Sequence, residues 1–230
     1  MSRGLQKIYS ELPKHYELID HILTFGLDIL CRRRAARIAV ADGGERWLDM
    51  CCGTGEMATA LKRLSRNGTM LTACDFSLPM LSQATLKPEA KDIRFAISEA
   101  GALPFADHTF DLITVSFATR NLNSSRGTLI KRFREFHRVL KPGGRYVNLE
   151  TSQPESRVIR KLMHIYVGLT VKQVGSWISG SKEGYSYLAS SIPRFYPAGE
   201  LAEILREAGF SEISYQPLFF GITAIHKAVR

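Results

Sequence analysis

Between residues 44 and 152 short apolar runs alternate with longer stretches whose apolar positions repeat at helical spacing. Arg46–Met50, Thr69–Asp75, Ile93–Ser98, Phe110–Phe117 and Arg145–Glu150 are mostly apolar and bounded by turn formers, which predicts strands. Residues 56–66 and 124–140 are patterned for crossover helices, so successive strands should run parallel with both faces buried. This is the pattern of an α/β protein with a doubly wound sheet. Lys141-Pro-Gly-Gly144 interrupts it as a turn between helix and strand, because proline cannot continue a helix and glycine takes backbone angles that other residues avoid.

Three regions flank this core. Residues 5–40 read as helices, with Leu18, Ile22, Phe25, Ile29 and Leu30 close to helical spacing, and residues 1–43 as a whole read as a lid. Residues 153–195 begin at Pro154, carry a helical set in Ile159, Leu162, Met163 and Val167, and pass through Gly- and Ser-rich sequence to Tyr185. They read as an insertion covering a substrate. Residues 196–230 supply a helix at about 197–208 ending at Gly209, then strands at Ser211–Gln216 and Phe219–Ala228 joined at Pro217. The sheet should therefore end in an antiparallel hairpin, and residues 1–230 form a single domain.

Composition narrows the classes. A chain of 230 residues, 45% hydrophobic and 23% charged, can bury a large core and is neither disordered nor collagen-like. No apolar run reaches the roughly 18 residues of a membrane-crossing helix, and the first residues lack the apolar centre of a secretory signal, so a cytoplasmic protein is expected. Cys31, Cys51, Cys52 and Cys74 form no CxxC pair and read as reduced thiols, with no metal site. The 31 Lys and Arg exceed the 22 Asp and Glu, giving a net charge of +9. The excess gathers at Cys31-Arg-Arg-Arg34 with Arg37, and at Lys131-Arg-Phe-Arg134. It would suit nucleic acid, an anionic membrane surface or plain solvation.

The chemistry begins at Leu48-Asp-Met-Cys-Cys-Gly-Thr-Gly-Glu56, where a glycine-rich loop joins the first strand to its helix. Glycines there admit a ligand close to the backbone, and the helix offers free N–H groups. Asp49 precedes Gly53 and Gly55 in this loop, and Asp75 ends the second strand, where an acid takes ribose hydroxyls. Asp75 would otherwise cap the helix that follows. A dinucleotide would satisfy the same loose pattern. The terminal hairpin separates the two, because a sheet closed by an antiparallel seventh strand resembles the Rossmann-like class I S-adenosylmethionine-dependent methyltransferases.

A narrower resemblance follows from three stretches. Ala102–Asn121, with its Ser116-Phe-Ala-Thr-Arg-Asn121, Arg138–Ser152, and the tail from Tyr185 through Gly221-Ile-Thr-Ala-Ile-His226 resemble the UbiE/MenG/Coq5 family of quinone-biosynthesis C-methyltransferases over nearly the whole chain. The resemblance implies S-adenosyl-L-methionine contacts at Thr54, Asp75, Glu99, Ala100 and Ser116, with Phe76 beside Asp75. It also implies a prenylated quinol acceptor, demethylmenaquinol first and the benzoquinol of ubiquinone synthesis second. The amino-terminal stretch departs from the family pattern YDxMNxxxSxGxHxxW, reading Asp28 where the pattern has His, and Glu56 stands where Asp is usual in the loop.

Transfer to a ring carbon needs an ionised hydroquinol and a cation or donor beside its oxygen. Arg120 and Asn121, after the fourth strand at the carboxyl edge of the sheet, are the catalytic candidates. Tyr16, Tyr185, Tyr187 and His226 are candidates for the acceptor pocket. A basic RNA methyltransferase and a non-catalytic cofactor-binding protein are the competing classes, and no aromatic RNA-binding platform is visible, so no nucleic acid is expected. A prenylated quinol stays in a bilayer, so peripheral contact with an anionic membrane surface is expected, through Arg32, Arg33, Arg34 and Arg37 of the lid. A homodimer is compatible with the sequence.

Overall fold

The computed structural model describes residues 21–171 and 189–230. At its centre are β1 (Arg46–Met50), β2 (Met70–Asp75), β3 (Ile93–Ile97), β4 (Phe110–Ser116), β5 (Leu140–Thr151), β6 (Ser211–Leu218) and β7 (Thr223–Val229). They form one seven-stranded sheet in the order β3-β2-β1-β4-β5-β7-β6. The pairs among β1 to β5 are parallel, and β7 lies antiparallel between β5 and β6. The expected doubly wound sheet with its antiparallel end is what forms. Strand order reverses between β1 and β4, which leaves a crevice at their carboxyl ends.

Helices α1 (Leu27–Val40), α2 (Glu56–Leu64), α3 (Leu78–Ala84), α4 (Arg126–Val139), α5 (Arg157–Tyr166) and α6 (Ala198–Glu207) surround the sheet. One face is covered by α4 and α6, where Phe133, Phe136, Leu201 and Leu205 pack with Tyr146 and Phe210. The Tyr146 ring centroid lies 5.6 Å from that of Phe133 and 5.5 Å from that of Phe210. On the other face Ala35, Ala36 and Ala39 let α1 approach the sheet closely beside Trp47, Met57 and Leu61. Burial of each large apolar side chain contributes about 1.5–3 kcal/mol.

Two turns differ from expectation. Pro217 does not join the last strands but lies inside β6. As the edge strand, β6 tolerates a residue without an N–H. The reversal falls instead at Phe219–Gly221, whose φ angles are 47°, 59° and 88°. Lys141–Gly144 is likewise not a separate turn. β5 starts directly after α4, and these residues bulge out of it between the pairs Phe110–Leu140 and Leu112–Arg145. Gly143 N–H donates to Arg230 O (3.1 Å), and Arg230 N–H donates to Gly144 O (2.9 Å), which pins the bulge to the carboxyl terminus.

Of the expected lid, α1 is described, and of the insertion, α5 running into a π-helical turn at Val167–Val171. Tyr166 Oη donates to Leu23 O (2.7 Å), which ties the insertion to the lid. Among the described residues no helix is long and apolar enough to cross a membrane.

Candidate active site

The glycine loop emerges from β1 in a run of left-handed residues, Cys51 (φ 57°), Gly53 (54°) and Gly55 (83°). At Gly55 a Cβ would lie 2.9 Å from the Cβ of Ala84 on α3, so both backbone angle and space demand glycine. At Gly53 nothing lies within 4 Å of the Cβ position, and the space it would enter belongs to a cleft at the carboxyl ends of β1 and β4. Helix α2 begins at the next residue after Gly55, without a side-chain cap, and turns its amino terminus toward the loop.

Asp75 holds this loop in shape. Its Oδ2 accepts Gly53 N–H and its Oδ1 accepts Ser77 N–H, each at 2.9 Å, while the side chain is buried. The cap of α3 is Ser77, whose Oγ accepts Met80 N–H at 3.4 Å. Asp75 is therefore not the helix cap. Burial raises its pKa against the opposing pull of the Ser77 and Gly53 amides. Deeper in the crevice, Asp49 is fully buried on β1 and accepts the Thr114 hydroxyl at 2.7 Å. Burial pushes its carboxyl up to about 7.

Asp49, Gly53, Thr54, Asp75, Phe76 and Ser116 all line the cleft. Ser116 Oγ, at the end of β4, is buried with no hydrogen-bond partner among the described residues. Glu99 and Ala100, beyond the end of β3, line an adjoining hollow against Phe76. Gly55 shapes the loop from behind.

A second, far more apolar cavity of about 450 Å³ opens between α1, α5 and the turn before β7. Arg120 lies in its wall, almost fully buried. Its Nη1 donates to Thr151 Oγ1 (3.3 Å) and lies 3.7 Å from Glu150 Oε1, while its backbone N–H donates to Glu150 Oε2 (3.0 Å). Asn121 faces the other way and lines the cofactor cleft. The two neighbours expected to act together thus serve different cavities.

Arg32 and Phe117 line both cavities and form the partition between them. The guanidinium carbon of Arg32 sits 5.0 Å from the Phe117 ring centroid, a cation–π contact. Arg32 also pairs with Asp28, and at 2.7 Å with Glu56, the first residue of α2. His21 Nδ1 lies 2.8 Å from Asp28, its Nε2 lies 3.3 Å from Glu56, and Thr24 Oγ1 donates to Asp28 at 2.7 Å. Burial alone would raise the Asp28 pKa, but the Thr24 hydroxyl and the Arg32 and His21 charges outweigh it and hold the carboxyl below its usual range. The His21, Asp28 and Glu56 ligand atoms come within 4.8 Å of one another, and the Arg32 guanidinium bonds both carboxylates.

These contacts correct the reading for Arg32 alone, since Arg33, Arg34 and Arg37 stay exposed on α1. Arg32 is buried in the site rather than offered to a membrane, and Arg34 Nε donates to Gln216 Oε1 (3.2 Å). Arg132 donates to Leu122 O, and Arg134 to Glu207 O at 3.3 Å. His226 lines neither cavity. It is buried on β7 and its Nε2 donates to Ala198 O (2.9 Å), with burial holding its pKa down at about 4. Tyr16, Tyr185 and Tyr187 lie outside the described residues. Sequence reasoning missed the roles of Arg32, Phe117, Asp28 and His21. For Asp28 and His21 the available signal was the change of polar residues in the amino-terminal stretch, and for Phe117 its place in Ser116–Asn121.

A seven-stranded sheet with this strand order, a glycine loop after β1 and an acid ending β2 defines a class I S-adenosylmethionine-dependent methyltransferase. Solved structures agree on the fold. A possible histamine N-methyltransferase from Thermotoga maritima superposes with a TM-score of 0.68, at 18% identity, covering 98% of this chain and 99% of that one. Human N-acetylserotonin methyltransferase in complex with SAM gives 0.67 at 15% identity, covering the whole of this chain and 59% of that one. Residues 2–230 match the model of the ubiE/COQ5 methyltransferase family, and the chain belongs to that family. It is 37% identical over 221 residues to the demethylmenaquinone methyltransferase of Thermus thermophilus, covering 95% of this chain and 98% of the relative. It is 32% identical over 227 residues to the ubiquinone/menaquinone biosynthesis C-methyltransferase UbiE of Desulfotalea psychrophila, covering 99% and 90%.

The enzyme uses S-adenosylmethionine, and the cleft fits it. The open space at Gly53, the unpartnered Ser116 hydroxyl and the acids Asp49 and Asp75 suit a ligand that carries hydroxyls and cationic groups.

Proposed function

We propose that the enzyme methylates a ring carbon of a prenylated quinol, demethylmenaquinol foremost. The observation that carries this reading is the junction of the two cavities at Phe117 and Arg32. A polar cleft suited to the cofactor meets a large apolar cavity whose wall holds the buried guanidinium of Arg120. A flat aromatic head group with an apolar tail matches the second cavity in both size and polarity. The named activities of the Thermus and Desulfotalea relatives support the same substrate class.

S-adenosylmethionine supplies an electrophilic methyl group, which moves to the ring carbon as the carbon–sulfur electron pair stays on sulfur. The chain's part is alignment, exclusion of water and charge. Asp75 accepts ribose hydroxyls through the lone pairs its amide contacts leave over, with Phe76, Glu99 and Ala100 toward the base. Asp49, Gly53, Thr54, Gly55, Ser116 and Asn121 form the rest of the cofactor side. Arg120 faces the hydroxyl that ionises and stabilises the oxyanion, and Glu150 and Thr151 fix its orientation. The hydroxyl gives up its proton before transfer, loss of the ring proton afterwards restores the aromatic ring, and the oxyanion takes a proton back on release, so one proton is lost per methyl transferred. The reaction takes place on the cytoplasmic face of a membrane that holds the quinol.

The test is methyl transfer from labelled cofactor to a panel of reduced prenylated naphthoquinols and benzoquinols. Preferred transfer to the naphthoquinol supports the reading. A preference for the benzoquinol reassigns the head group, and transfer to none overturns it.

A further inference from the structure

Helix α5 carries two apolar stripes. Ile159, Met163, Tyr166 and Val167 face the acceptor cavity. A second set, Val158, Leu162, Ile165 and Leu169, is exposed by 70%, 61%, 47% and 59%. At 3.6 residues per turn Val158, Leu162 and Ile165 fall within an arc of about 60°, beside the first stripe, and Leu169 follows them in the π-helical turn. Packing in the described chain does not explain the second stripe, since it faces outward. On its far side stand Arg157 and Lys161, both exposed, and the helix contains no acid. An exposed apolar stripe flanked by basic residues is the arrangement of a helix lying in a membrane interface.

The rest of the cavity mouth continues the stripe. Leu162 belongs both to it and to the cavity wall. Across the opening Phe25 is 80% exposed and also lines the cavity, its ring 6.2 Å from that of Tyr166. Phe219 lines the cavity from the turn before β7, and Phe220 beside it is 82% exposed. Phe25, Phe219 and Phe220 all have left-handed backbone, at φ 52°, 47° and 59°, which is unfavourable for any residue with a Cβ. Strained aromatics turned outward around one opening point to a partner that takes up apolar surface.

We propose that α5 and the Phe25 and Phe219–Phe220 turns dock on an anionic lipid bilayer, so that the acceptor cavity opens into the membrane. The docking face is thus the insertion and its rim, with Arg32 of α1 buried away from it. This rests on the reading that the acceptor is a prenylated quinol, because the proposed geometry lets the tail remain in lipid while the head group enters.

The experiment compares the full chain with two sets of variants that avoid the cavity lining, Val158→Gln with Ile165→Gln and Leu169→Gln, and Arg157→Gln with Lys161→Gln. Binding is measured by co-sedimentation with vesicles of phosphatidylcholine alone and with 30% phosphatidylglycerol. The parent chain is expected to bind the anionic vesicles at least tenfold more tightly than the neutral ones. The first set should lose at least tenfold on both, and the second should lose the anionic preference. Binding by the first set equal to the parent overturns the proposal, as does absence of binding by the parent. If the first set changes a dimer to a monomer while vesicle binding holds, the stripe is a contact between copies and the proposal fails. If it lowers Tm while vesicle binding holds, the stripe is covered by the chain itself, and the proposal fails again. Turnover of a short-chain acceptor in solution is measured alongside. It should be unchanged in both sets, and its absence from the parent would count against the substrate reading without touching the vesicle result.

Discussion

Asp49 makes the cofactor cleft a proton-linked site. Its carboxyl is fully buried, receives only the Thr114 hydroxyl from a side chain, and is pushed up to about 7. At pH 7 it is therefore about half protonated. S-adenosylmethionine brings an ammonium and a sulfonium into the same cleft, and an opposite charge within about 4–6 Å lowers a carboxyl pKa by ~1–3 units. Taking a fall to about 5, binding releases roughly 0.5 proton at pH 7, about 0.8 at pH 6 and about 0.1 at pH 8. The linked affinity should weaken about fivefold between pH 7 and pH 6. The assay is calorimetric titration of the cofactor in buffers of different ionisation enthalpy, where the slope of observed enthalpy against buffer enthalpy counts protons. Asp49→Asn keeps an acceptor for Thr114 and cannot titrate, so its slope should vanish. A parent slope of zero at both pH 6 and pH 7, or an undiminished slope in the Asn variant, would refute the assignment.

Arg120→Ala should leave cofactor binding measurable and reduce methyl transfer at least tenfold; normal turnover would remove Arg120 from the reaction. Asp75→Ala strips the acceptor from two amides, and hydrogen bonds to a charged group are worth about 1.5–3 kcal/mol each. Urea unfolding should show a loss of about 3–6 kcal/mol, with cofactor affinity down at least tenfold, and an unchanged Kd would sink the ribose contact. His226 is held neutral in the fold with a pKa of about 4, below its ordinary value of 6.5. Stability should therefore be lost as pH falls through 6.5 toward 4. His226→Gln retains a donor for Ala198 O without titrating, so the parent should lose roughly 2 kcal/mol relative to it between pH 7.5 and pH 5. Identical pH dependence in the two proteins would be the contrary result.

The core was legible because its elements are local. Each parallel strand is a short apolar run, and the glycines of the loop after β1 announce a backbone that other residues cannot adopt. The two misplaced turns have a common cause, since proline and glycine mark irregularity without saying whether it lies within a strand or between strands. The acceptor cavity was not legible. Its wall draws on residues 23–32, 117–120, 151–167 and 192–223, which only the fold brings together. Arg32 was hidden inside a basic run that looked solvent-facing, and it is paired both by Asp28 one turn back on α1 and by Glu56 from α2. Adjacent residues such as Arg120 and Asn121 point into different cavities because a 3-10 turn at Thr119–Leu122 rotates successive side chains by about 120°.

The central claim is methyl transfer to carbon on a reduced ring, across the Phe117–Arg32 partition. It is tested most directly by incubating the enzyme with labelled S-adenosylmethionine and a demethylated prenyl naphthoquinone, with and without prior reduction, and locating the new methyl by NMR. A methyl on the ring carbon, formed only from the reduced acceptor, is the expected result. A methyl ether on oxygen, or equal transfer to the oxidised quinone, would contradict it.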